Sequence, residues 1–225
     1  MIYLLNKEIA FPNPEDADED GILAVGGDLS PERLILAYSY GIFPWFPFRP
    51  NETYLKDENG NSMITWWCPK DRFVIFPEKI HISHSMKQLI NSEKYSITFN
   101  KDFKQVISNC SSLRINKEGA WLGPEMIKAY TKLNEMEYAI SVEVWNNENK
   151  LVGGLYGVTI GYCFMGESMF SLEPNTSKLA LINLANIMKQ NNGVMIDCQF
   201  ETPHLLSMGG QHISYKKYME YLNMK

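Results

Sequence analysis

The stretch "VMIDCQF" (194–200) places a carboxylate, Asp197, and an amide, Gln199, two positions apart in a run that is otherwise apolar. If the run alternates as a strand, Val194, Ile196, Cys198 and Phe200 face one side, and Met195, Asp197 and Gln199 face the other. The two polar groups then stand about 7 Å apart along one face. The acid can orient the amide or a common ligand; equally, it can be a strand-end residue that caps a neighbouring loop. "CFMGESMF" repeats the theme, because Glu167 and Ser168 interrupt a second strand-like run just before a turn. A half-buried acid needs a positive partner or hydrogen bonds, since an unpaired buried charge is costly. A third group is aromatic: Trp45, Trp66, Trp67 and Trp121 lie beside prolines or glycines in "FPWF", "TWWCP" and "GAWLG". Such rings pack cores, or they stack on a nucleobase with about 1–3 kcal/mol per base.

The four cysteines (68, 110, 163, 198) and four histidines (81, 84, 204, 212) show no metal-ligand spacing, so no metal is expected, and reduced thiols fit a cytosolic setting. A net charge of −5 argues against a long nucleic-acid track held through many phosphates, but not against reading the end of one RNA. No apolar run approaches the roughly 18 residues of a membrane span. The opening "MIYLLNKEIAFPNP" lacks the basic start and small-residue cleavage site of a leader, so a cytoplasmic location is expected.

These residues must be positioned by an α+β chain. Ser30 at the N-cap, Pro31, then Leu34, Ala37 and Tyr38 at helical spacing, with Gly41 as stop, predict a short helix after an acidic, solvated loop. "PFRPNETYLKDENGNSMIT" (47–65) reads as an exposed loop or connection. The boundary is placed near 70, giving a small N-terminal domain over 1–70 and a larger one over 71–225. Phe103, Val106, Ile107 and Cys110 predict one amphipathic helix, and Pro124 with Met126, Tyr130 and Leu133 predicts another. "YAISVEVW", "KLVGGLYGVTI" and "GYCFMGESMF" predict an antiparallel meander with a tight turn at Gly161. A helix carrying Leu181, Leu184 and Met188 follows, ended by Gly193, and leads into "VMIDCQF". Meander, helix, strand is the order at the heart of N-acetyltransferase-like (GNAT-type) acyltransferases, a statement of fold and not of reaction.

Taken in order, "FPNPEDA", "GILAVGGDLSPERLILAYSYGIFPWF", "WWCPKDR", "SVEVW", "LVGGLYGV", "GESMFS", "NTSKLAL", "IDCQ" and "HLLSMGG" resemble the leucyl/phenylalanyl-tRNA-protein transferases across nearly the whole chain. The resemblance implies transfer of Leu, Phe or, less readily, Met from aminoacyl-tRNA to proteins beginning with Arg or Lys, which marks them for N-end rule degradation. It implies no ATP, metal or coenzyme A, because the tRNA ester is already activated. It puts catalysis at Asp197 and Gln199 and the cationic acceptor at Glu167 and Ser168. The donor side chain would occupy an apolar pocket of Leu155, Phe164, Leu181, Leu184, Met188 and Ile196, and the terminal adenosine would meet Trp45, Trp121 and Tyr130.

The implied reaction is aminolysis, with the acceptor α-amine as nucleophile. Keeping an amine of pKa about 7.7–8.0 neutral at pH 7 costs only about 1–1.4 kcal/mol, so a strong base is unnecessary. Asp197 is expected to polarise and fix Gln199, whose amide oxygen accepts from the attacking amine. One rival is a coenzyme A-dependent N-acetyltransferase, which needs a glycine-rich pyrophosphate loop where this chain has "SLEPNTSK". The other is a non-catalytic module that binds tRNA ends or protein N-termini.

Overall fold

Strands β7 (Ala139–Trp145), β8 (Leu151–Ile160) and β9 (Cys163–Ser171) form the expected antiparallel meander in the computed structural model, which describes residues 2–45, 63–115 and 122–224. Gly161, at φ +57°, supplies the left-handed residue of the β8–β9 turn. The expected loop over 47–65 lies outside the described residues as far as 62, and Trp121 lies outside them as well. Among the described residues no helix is long and apolar enough to cross a membrane.

The meander sits inside a seven-stranded sheet. On one side β7 pairs with β6 (Ser96–Phe99); on the other β9 pairs in parallel with β10 (Met195–Asp197), which pairs with β5 (Asp71–Ile75) and then β11 (Gln211–Ser214). Helix α5 (Thr176–Gln190) joins β9 to β10, so the expected order of meander, helix and strand is present. Its end differs in detail from expectation. Asn192, not Gly193, adopts the left-handed φ of +58°, while Gly193 is needed because a Cβ there would stand 2.7 Å from the Cβ of Met188.

Strand alternation divides the apolar residues between two faces. Ile75, Leu155, Phe164 and Ile196 pack with α5 and with Met86 of α2 (His84–Asn91). Val74, Tyr156, Met165 and Met195 pack with α1 (Pro31–Ser39), α3 (Phe103–Ile115), α4 (Pro124–Glu135) and α7 (Tyr215–Leu222). The predicted helices at 31, 103 and 124 are all present. The predicted faces are buried, including Leu34, Ala37, Tyr38, Phe103, Val106, Ile107, Cys110, Met126, Tyr130 and Leu133. Ser30 holds the N-cap position of α1, although its hydroxyl makes no capping bond.

A second sheet, ordered β1 (Tyr3–Leu5), β2 (Ile22–Gly26), β4 (Thr65–Trp67), β3 (Phe43–Trp45), is built from the chain before residue 70. Its buried Leu23 and Trp66 belong to the same apolar cluster as Val74 and Phe103, so the core runs unbroken beneath both sheets. This junction brings β3 over the open end of β10.

Candidate active site

The run "VMIDCQF" is a strand only as far as Asp197. Cys198 still donates its N–H to the Phe73 carbonyl at 2.9 Å, but Gln199 turns left-handed at φ +57°, and Phe200 N–H closes a tight turn on Cys198 O at 2.7 Å. The expected alternation therefore breaks at Gln199. Ile196 and Cys198 face α5, whereas Phe200 is carried round to the Met195 side. A left-handed non-glycine residue costs of order 1–3 kcal/mol and persists only where its surroundings fix it. Asp197 does so here: its Oδ1 accepts the backbone N–H of Gln199 at 2.9 Å.

Asp197 is itself fully buried and fully engaged. Arg72, also fully buried, donates Nε at 2.9 and 3.1 Å and Nη2 at 2.7 Å, and Tyr218 donates its hydroxyl at 3.0 Å. The guanidinium lies between the rings of Phe43 and Tyr218, 4.8 and 4.7 Å from their centroids. Burial alone disfavours the Arg72 charge, but Asp197 outweighs it and holds the guanidinium firmly protonated. The expected side-chain coupling of Asp197 to the Gln199 amide is thus corrected: the acid grips the Gln199 backbone. Its elements of the strand-end, loop-capping reading are also present. Arg72 was not singled out from sequence. The available signal was an arginine inside the apolar strand run "RFVIF".

Glu167 owes its position to a β-bulge. Tyr156 pairs with Ser168 and Gly157 with Gly166, which leaves Glu167 as the extra residue and turns it toward α1 and α4. Gly157 permits the bulge, because a Cβ there would collide with the Met165 carbonyl and the Phe164 ring. Glu167 Oε1 accepts from Tyr38 at 2.7 Å and more weakly from Gln199 Nε2 at 3.4 Å, and Oε2 accepts from Tyr130 at 2.8 Å. Burial pushes the Glu167 carboxyl up to about 7; the phenol hydrogen bonds and Arg72 oppose the rise, and Asp197 adds to it. Its contribution to stability is present below the unfolded-state value and is lost as pH rises through about 7. Glu167→Gln is therefore expected to raise Tm at pH 8 by several degrees, on the order of 1–3 kcal/mol, and to leave it unchanged near pH 4. Thermal melts at the two pH values check this.

β10 follows β9 only over Cys163–Met165, so from Gly166 onward the two strands part. The gap is a cavity of about 620 Å³. Leu155, Phe164, Leu181 and Ile196 line it, with Met169 and Leu205, and Glu167, Ser168, Gln199 and Trp45 meet at its wall. The Ser168 hydroxyl is buried without a hydrogen-bond partner among the described residues. Leu184 and Met188 do not line it: Leu184 is fully buried in the core beneath the sheet, and Met188 packs against that same core. Tyr130 is also placed differently from expectation. It is fully buried, edge-on to Tyr156, and presents no face for a base. Trp45 is half-buried at the cavity wall, its ring 5.3 Å from Trp67 and 5.4 Å from Phe200. At the start of α5, the Ser177 N–H is already taken by Ser171 Oγ at 3.2 Å. Among the described residues no group of three His, Cys, Asp or Glu side chains could hold a metal ion.

The family described as leucyl/phenylalanyl-tRNA protein transferase matches residues 74–223, and its N-terminal domain matches 27–70. A leucyl/phenylalanyl-tRNA–protein transferase of Flavobacterium psychrophilum is 45% identical over 222 residues, covering 98% of this chain and 99% of its own length. Its counterpart in Flavobacterium johnsoniae is 45% identical over 225 residues, covering 100% of both. Among solved structures, L-PGS from Bacillus licheniformis aligns with a TM-score of 0.44 at 12% identity, covering 86% of this chain and 60% of its own.

Proposed function

Since the chain belongs to the leucyl/phenylalanyl-tRNA–protein transferase family, we propose that it moves Leu, Phe and, less readily, Met from aminoacyl-tRNA to the α-amine of proteins that begin with Arg or Lys. Such transfer marks those proteins for N-end rule degradation in the cytoplasm. One observation carries the reading: Gln199, Glu167 and Trp45 converge on one largely apolar cavity of about 620 Å³. The apolar wall accommodates the donor side chain, Trp45 the terminal adenosine, and Glu167 with Ser168 the cationic acceptor. Tyr130 acts behind Glu167 instead of against the base.

The ester is already activated, so the site supplies position. Asp197, fixed by Arg72 and Tyr218, sets the Gln199 backbone. Glu167 takes the Gln199 Nε2, which leaves the amide oxygen to accept a hydrogen bond from the attacking amine. The proton leaves the amine as the C–N bond forms, and the departing ribose oxygen gains one. No enzyme nucleophile and no metal enter this scheme. The coenzyme A-dependent acetyltransferase reading is not favoured: the α5 terminus that a pyrophosphate would need has no glycine loop, and one of its N–H groups is already occupied.

Leu181→Trp projects an indole into the cavity and is expected to reduce Phe transfer at least about tenfold more than Leu transfer, since a pocket discriminates by roughly 1–3 kcal/mol per methylene. Competition between Phe-tRNA and Leu-tRNA for one acceptor peptide measures it, and equal loss of both sinks the pocket assignment.

A further inference from the structure

The hydroxyls of Tyr38 and Tyr130 lie 2.5 Å apart, and each is also bonded to a different oxygen of Glu167, at 2.7 and 2.8 Å. Two hydroxyls and one carboxyl group thus close a ring with three edges, and each edge needs one proton. With Glu167 ionised there are only two, so one edge is left without a proton; if both phenols donate to the carboxylate, the two phenol oxygens face each other with nothing between them. That separation is at the short end of O–H···O bonds, so it calls for a shared proton. With Glu167 as the acid the count closes. Gln199 Nε2 points at Oε1, which marks that oxygen as the acceptor and places the third proton on Oε2. The ring then runs Oε2–H to Tyr130, which reverses the direction that bond has when Glu167 is ionised, Tyr130 to Tyr38, and Tyr38 to Oε1.

We propose that the resting enzyme carries a proton on Glu167 Oε2, closed into this ring by Tyr38 and Tyr130, and releases it to solvent when a cationic acceptor side chain enters. This rests on the reading of Glu167 as the acceptor site. Burial of Glu167, already seen to place its titration near neutrality, points the same way. The phenols oppose it, since each also donates to the anion, and so does the Arg72 charge; the Asp197 charge reinforces it. Tyr38 comes from α1, Tyr130 from α4, Arg72 from β5 and Asp197 from β10, while Tyr156 of β8 abuts the Tyr130 ring. The phenols themselves stay protonated: burial, and then Glu167, hold both well above their ordinary value. The ring makes the empty site uncharged. Only a fixed cation then repays ionisation, which adds to discrimination against uncharged N-terminal residues.

The test is calorimetric, at pH 6.5, in two buffers of different ionisation heat. The probe is a peptide whose first residue is arginine with its α-amino group replaced by hydrogen, so that only the guanidinium is offered. Wild type is expected to bind it and release roughly three-quarters of a proton, the acid fraction of a group titrating near 7. Glu167→Gln, which keeps a donor and an acceptor in the ring, is expected to bind at least about tenfold more weakly and to release none. Binding to wild type with no buffer-dependent heat overturns the proton ring and leaves the acceptor site standing. Equal binding to wild type and Glu167→Gln overturns the acceptor reading itself, and the proposal with it.

Discussion

Asp197→Asn is expected to lower Tm by roughly 6–20 °C and to slow leucyl transfer by about 100-fold or more. The first figure comes from Arg72. Among the described residues Asp197 is the one ion-pair partner of its fully buried guanidinium, and removing one partner of such a pair costs about 3–5 kcal/mol. The second comes from Gln199, whose left-handed backbone is held by the Asp197 carboxylate, because a displacement of about 1 Å at a positioning group costs on the order of 100-fold. The double variant Arg72→Met/Asp197→Leu separates the two effects. Replacing a buried ion pair with apolar residues is often neutral for stability, so Tm is expected to recover while transfer does not. Recovery of both in a melt and a transfer assay excludes Asp197 as the positioning group.

Glu167→Gln is expected to reduce kcat/KM for an Arg-initiated peptide roughly 10²–10³-fold, with donor tRNA affinity unchanged. Truncating one side of a hydrogen-bonded, partly buried charge pair costs about 2–5 kcal/mol, and the acceptor's Arg or Lys side chain is the charge Glu167 is proposed to meet. In wild type the same group fixes the pH dependence. Acceptor kcat/KM falls as pH drops, first because the acceptor amine gains a proton and then, through about 7, because Glu167 does; the variant keeps only the amine's share of this limb. Initial rates across pH 5.5–8 with saturating Leu-tRNA measure both. An unchanged acidic limb in the variant assigns the titration elsewhere.

The elements were readable in the sequence because their signals are local. Pro31 and Pro124 open helices, Gly161 makes a turn, and the apolar faces of α3 and α4 repeat at helical spacing. The site was readable as a set of interrupting acids, not as a geometry. That Glu167 reaches α1 and α4 depends on a bulge, and a bulge is a property of the pairing of β8 with β9 rather than of either run alone. Arg72 and Asp197 are 125 positions apart, and strand alternation alone does not say that β5 and β10 are neighbours. The kink at Gln199 undid the simple two-residue period from which its partnership with Asp197 was drawn. Leu184 and Met188 share the apolar character of α5 with Leu181, yet only Leu181 reaches the cavity, since the gap opens beside one end of that helix.

These corrections change what the acid and the amide do. Asp197 is an anchor closed to substrate, and Gln199 is the group it presents. In the function proposed, the preference for a positively charged N-terminus then lies with Glu167. The most direct measurement is to mix the protein with Leu-tRNA and three peptides that begin with Arg, Lys or Ala and to weigh the products by mass spectrometry. The expected result is one added leucine on the Arg and Lys peptides and none on the Ala peptide. Leucine on all three alike, or on none while the tRNA stays charged, contradicts the account.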